Sequence, residues 1–278
     1  MSVRIVSDSA CDLPPALCAE LGIEVVPLSI RFGADELVDR VELTTAAFWD
    51  RLGRTTVLPE TAAPSVGAFE TTFRKLHERG ADGIVCVNLS SKMSATMQSA
   101  QIAAKALDGA CPVAVFDSQS ASMGIGMLAL HAARLANDGA DVDTIVTALE
   151  DARARAHALF TLDTLEYLRK GGRVGGAQAL LGSMLSIKPV ITVTDGEVAP
   201  VAKVRTRSKA LRYVVDHLKQ RPVETLFVMH GRAVDVDEFV TMLEPIVGDS
   251  EVVVGEIGPV VGVHTGPGVI GVTWFEAH

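Results

Sequence analysis

Three stretches of the chain hold polar side chains in settings that a plain apolar core has no use for. The first is Glu60-Thr61-Ala62-Ala63-Pro64-Ser65, where the Thr61 hydroxyl is expected in a loop just ahead of a helix. The second runs from Asn88 through Ser90, Ser91 and Ser94 to Thr96, between an apolar strand and the N-terminus of a helix. The third is Gly262-Val263-His264-Thr265-Gly266-Pro267-Gly268, where glycine and proline are expected to hold His264 in a tight loop. A helix N-terminus offers free N–H groups and a positive dipole end to an anion, and a histidine fixed by a rigid turn is a better ligand candidate than a freely solvated one. Each also has a plainer reading: Thr61 as a turn former, Ser94 as a helix N-cap, His264 as a solvated loop side chain. Lys170, Arg173 and Arg205 read on residue type as solvated surface or as caps near helix ends.

Other chemistry fails on context. Gly266-Pro267-Gly268-Val269-Ile270-Gly271 matches a dinucleotide-binding pattern by letter, but strand-like residues follow it where a helix is required. Gly124 and Gly126 open a helical stretch too far behind the preceding strand for a phosphate turn, so close helix packing is their expected role. The sequence has no P-loop and no nucleophile elbow. Cys11, Cys18, Cys86 and Cys111 have no metal-ligand spacing and read as free structural thiols, which suits a reducing compartment.

The elements that must position the polar stretches alternate in the first half. Strands are expected at 3–6, 24–30, 83–88 and 112–117, with helices after them at about 94–107, 120–138 and 141–156. Such repetition with short connections predicts a parallel sheet covered on both faces. After residue 157 the pattern changes to a hairpin turning at Asp195-Gly196, a helix over about 206–219, strands at 225–230 and 251–256, and a last strand after the Gly-Pro-Gly turn. That predicts a mixed sheet with helices on one side.

The chain has 278 residues, 48% of them apolar but only 5% aromatic, so its core is expected to be aliphatic. A net charge of -9 argues against a nucleic-acid binder and against a standing hold on anionic membranes. No signal peptide or spanning helix is expected, and the chain reads as cytoplasmic.

Along nearly its whole length the sequence resembles the DegV family, the acyl-binding subunits of bacterial fatty-acid kinases. The resemblance runs through Ser7-Asp8-Ser9, Thr61 with Pro64-Ser65, Ser90-Ser91-x-Met93-Ser94-x-Thr96, Asp117-Ser118, Ser122-Met123-Gly124-x-Gly126, Lys170-Gly171-Gly172-Arg173, Lys203-x-Arg205-Thr206 and His264-x-Gly266-Pro267-Gly268. It implies an N-terminal three-layer, Rossmann-like domain (1–157), a C-terminal mixed two-layer domain (158–278), and a long-chain fatty acid between them. It implies a carboxylate held by Thr61 and Ser94 with His264 close by, and Arg173 and Arg205 near the portal. It further implies a monomer with no cofactor or metal, and a separate kinase subunit that phosphorylates the bound acid. Lys92 and Ala95 stand where the family usually has glycine, and Ala62 and Ala63 where it has polar residues. These departures bear on ligand preference. Two alternatives stay open on the residues: an acyl hydrolase using Ser94 with His264, and a carrier of another amphipathic anion.

Overall fold

A computed structural model describes residues 2–180, 187–247 and 252–277. In chain order the first half holds β1 (Val3–Asp8), a 3-10 turn at Ser9–Cys11, α1 (Pro15–Leu21), β2 (Ile23–Val26), β3 (Ser29–Phe32), β4 (Asp35–Val38) and α2 (Thr45–Leu52). Then follow β5 (Glu60–Ala62), α3 (Val66–Glu78), β6 (Gly83–Asn88), α4 (Thr96–Lys105), β7 (Val113–Asp117), α5 (Met123–Asn137) and α6 (Val142–Arg155).

Four of these strands form a parallel sheet in the order β2-β1-β6-β7. Successive side chains on a strand face opposite ways, and both faces here are apolar. Ile84 and Cys86 of β6 meet Phe69 and Phe73 of α3 and Ala100 of α4. Val85 and Val87 point to the other side, toward Leu128, Ala129 and Ala132 of α5. Helices α2, α3 and α6 start on Thr44, Ser65 and Asp141, whose side chains each accept a backbone N–H from the first turn.

The second half holds β8 (Ala156–Thr161), α7 (Glu166–Lys170), β9 (Lys188–Thr194), β10 (Glu197–Val204), α8 (Arg207–Leu218) and β11 (Val223–His230). It closes with α9 (Val236–Val247), β12 (Val253–Glu256), α10 (Pro259–Thr265) and β13 (Ile270–Glu276). Its sheet runs β10-β9-β8-β13-β11-β12, antiparallel except between β11 and β12. One face is covered by α8 and α9, where Leu211, Val215, Phe239 and Leu243 pack on Leu159, Val228, Val272 and Trp274. The other face carries Phe160, Ile191 and Val198 into the same core as α5. The chain is thus a two-domain α/β protein, and the expected boundary at 157 falls inside the first residues of β8.

Two contacts tie the halves together. Trp49 of α2 donates its indole N–H to the Ile257 carbonyl at 3.0 Å, and its ring lies so close to Gly231 and Gly262 that a Cβ on either would meet it at 2.6 and 3.0 Å. Asp12 accepts from the Gly258 N–H at 3.0 Å and from the Ser122 hydroxyl at 2.5 Å.

The structure corrects several expectations. The single strand expected over 24–30 is two, β2 and β3, in different sheets. Pro27 cannot donate to a ladder, and the Leu28 N–H is taken by the Ser9 hydroxyl. A small antiparallel sheet, β4-β3-β5, was not anticipated. Its signal was Gly33-Ala34, a two-residue hairpin loop with glycine first at φ 64°. The helix expected from Ser94 begins at Thr96. The expected strand at 251–256 starts at Val253, and Glu251 lies outside the described residues.

Candidate functional site

A cavity of about 70 Å³ lies between the two halves. Leu28, Leu89 and Ala121 line it from loops that leave the C-terminal ends of β2, β6 and β7. Ligands of parallel α/β sheets gather outside those ends, because there the chain leaves the ladder and helix N-termini converge. The opposite wall is Phe160 of β8, Ile191 and Val193 of β9, Val198 of β10 and Val260 and Val261 of α10. Aliphatic side chains dominate the surface.

Polar groups cluster at Thr61, Ser94, Arg173 and His264. Thr265 also lines the wall, but its hydroxyl donates to the Val261 carbonyl within α10. Thr61 lies in β5 and not in a loop, paired with Ile30 of β3. His264 lies in the last turn of α10 and not in a loop. That helix starts with Pro259 at its first position, where a missing N–H does no harm, and stops at Gly266, φ 72°. The Thr61 hydroxyl and His264 Nε2 are 3.1 Å apart, although the residues are 203 positions apart in sequence. Gly171 gives the ring its room: a Cβ there would sit 2.4 Å from His264 Nδ1. Burial, with the positive charge of Arg173 beside it, pushes the His264 pKa down to about 4, so the ring is neutral at pH 7.

Ser94 sits one residue before the helix boundary. Its hydroxyl accepts the Thr96 N–H at 3.2 Å and shares a 2.8 Å bond with the Thr96 hydroxyl. The loop carrying it is fixed from below. Asp8, at the end of β1, accepts from the Leu89 N–H and the Asn88 amide, and the Ser90 hydroxyl donates to the Gly196 carbonyl at 2.6 Å. Arg173 reaches across the mouth, donating to the Met93 carbonyl at 3.1 Å and the Gly171 carbonyl at 2.7 Å.

These polar stretches meet at one end of one apolar cavity, and the comparisons with known proteins agree over the whole chain. The family model described as "Uncharacterised protein, DegV family" matches residues 2–277. The chain belongs to the DegV family. A DegV domain-containing protein of Streptomyces coelicolor is 38% identical, with 97% of each chain covered. A DegV family protein from Thermus thermophilus, described for its fatty acid binding, matches at a TM-score of 0.91 and 32% identity over 100% of both chains. A stearic-acid-binding protein from Eubacterium ventriosum matches at 0.89 and 29% identity, covering 99% of this chain and 98% of its own.

Not every DegV signature in the chain reaches the cavity. Arg205 lies exposed in the turn between β10 and α8 and is not part of the cavity wall. Lys170 pairs with Glu166 one turn back on α7. Lys92 lines a polar groove outside the mouth together with Ser94 and Arg173. Ala62 and Ala63 are exposed. Gly126 packs against the Cys11 carbonyl, where a Cβ would come within 2.8 Å, in keeping with the packing role expected of it. Ser94 and His264 form no nucleophile–base pair. Each bonds a different threonine, and among the described residues no partner orients His264 Nδ1. The apolar wall residues Phe160, Ile191, Val193 and Val198 escaped the sequence reading. Their signal was the Asp-Gly turn, which sets Val198 directly opposite Val193 and so on the same face. Among the described residues, no group of His, Cys, Asp and Glu is placed to hold a metal ion, and no helix is long and apolar enough to cross a membrane.

Proposed function

We propose that this DegV protein binds a long-chain fatty acid between residues 1–157 and 158–278 and presents the carboxylate to a separate kinase subunit, performing no chemistry on it. The observation that carries the reading is the 3.1 Å contact of Thr61 with His264 at the polar end of an aliphatic cavity. A neutral imidazole has one N–H. Donated from Nε2 to the Thr61 oxygen, it leaves the Thr61 hydroxyl hydrogen free for a carboxylate oxygen. The Ser94 hydroxyl supplies a second donor once it turns from Thr96. Two neutral donors hold the acid without burying an ion pair, so a kinase can still reach it. Solved relatives described as fatty-acid-binding support the same ligand class.

Each methylene moved from water into the cavity contributes about 0.8 kcal/mol, on the order of 10 kcal/mol gross for a long chain before ordering costs. The absence of a phosphate loop in the sequence supports a division of labour in which the partner brings the nucleotide. Arg173, at the mouth, is the proposed docking cation. In this reading the protein works in the cytoplasm as a monomer.

Native mass spectrometry of the purified protein, with organic extraction of what it carries, tests the proposal. The expected result is one long-chain fatty acid per chain, lost in the Thr61→Ala/Ser94→Ala double variant. A folded protein that carries none, and takes up none when it is offered, sinks it.

A further inference from the structure

The cavity shares part of its wall with a second opening between the halves. Val193 of β9 lines the cavity on one side and an open groove on the other. That groove runs between the halves and is lined by Ser118, Gln119, Ser120, Glu150, Arg153 and Asp195. None of Thr61, Ser94, Arg173 or His264 reaches it. β8 starts beside Val193 and runs toward α7, whose Gly171 abuts His264, so in the fatty-acid reading the hydrocarbon end of an anchored acid faces Val193. The partition is held on both sides. Arg153 donates to the Asp117 carbonyl at 2.9 Å and lies 4.9 Å from the centre of the Phe116 ring. The hairpin that carries Val193 is pinned at its tip, where the Ser90 hydroxyl grips Gly196.

We infer that Val193 is the stop that sets the longest acyl chain this protein accepts, by separating the dry cavity from a polar, water-accessible groove. The inference rests on the fatty-acid reading and deepens it. Replacing valine by alanine removes two methyl groups from a wall that neighbouring bonds hold open, and a hydrocarbon end can then extend toward the groove. A phenylalanine fills the same place from the cavity side. Two methylenes that gain or lose a dry environment change affinity by about tenfold.

The test is a competition among straight-chain saturated acids of about 12 to 22 carbons, offered at equal concentration and read by native mass spectrometry. Wild type, Val193→Ala and Val193→Phe are compared, each first checked for a cooperative thermal transition. The expected result is a gain of about tenfold for the longest acids in the alanine variant and a similar shift to shorter acids in the phenylalanine variant. Two folded variants that keep the wild-type length profile overturn the stop while leaving the fatty-acid reading intact. A wild type that binds no acid of any length overturns both.

Discussion

His264 shows how one side chain acquires a role from its surroundings. An imidazole in water is half protonated near pH 6.5; this one, buried with Arg173 beside it, is pushed down to about 4. Because the folded value is depressed, the stability His264 contributes is present above pH 6.5 and is lost as the pH falls through about 4. Histidine ring signals followed by NMR should show His264 titrating near pH 4 in the empty protein. They should show it moving upward when a fatty acid is loaded, because a nearby carboxylate favours the charged ring. A ring that titrates near 6.5 in the empty protein would mean that it is solvated and is not the partner of Thr61. His264 itself was legible in the sequence as a candidate, through the glycines and proline behind it. Its partner was not, because nothing local links residues 61 and 264.

At the scale of elements, the site depends on how closely α7 and α10 approach. Gly171 closes α7 in right-handed conformation, so alanine is acceptable to its backbone; the 2.4 Å approach to His264 opposes it most, with the Tyr167 carbonyl at 3.1 Å a milder contact. Gly171→Ala should therefore leave the fold intact and displace the ring. The expected loss is about tenfold or more in fatty-acid affinity by titration calorimetry, with an unchanged circular dichroism spectrum. Unchanged affinity would remove His264 from the site. The long amphipathic helices and the core strands of the parallel sheet were legible because their apolar periodicity is set by burial. The short elements were not. β3, β4 and β5 have three or four residues each, too few for a period to show. The loop expected around His264 is a helix because the stretch between Pro259 and Gly266 carries its own start and stop signals.

The whole molecule is joined through buried polar groups as well as apolar ones. Asp12 holds the N-terminus of α10 from the first half, and burial lifts its pKa from 3.8 to about 7 despite the favourable hydrogen bond from Ser122 and the charge of Arg40. A raised acid is a proton held more tightly in the folded state. Its contribution to stability is full below pH 3.8 and is lost as the pH rises through about 7. Asp12→Asn can accept from the Gly258 N–H through its carbonyl oxygen and donate its amide to the Ser122 hydroxyl, without titrating. The stability of wild type relative to this variant, from denaturant melts at several pH values, should thus fall between about pH 4 and pH 7. Asp39, lifted by burial to about 6, titrates in both proteins and largely drops out of the difference. A difference that stays constant with pH would show that Asp12 is ionised throughout. The two tryptophans divide between the cores: Trp49 sits where α2 meets α10, and Trp274 sits beneath α8 and α9. The chain thus carries a natural pair of fluorophores. With either one replaced by phenylalanine, the emission of the other reports separately on the seam between the halves or on the interior of the second half.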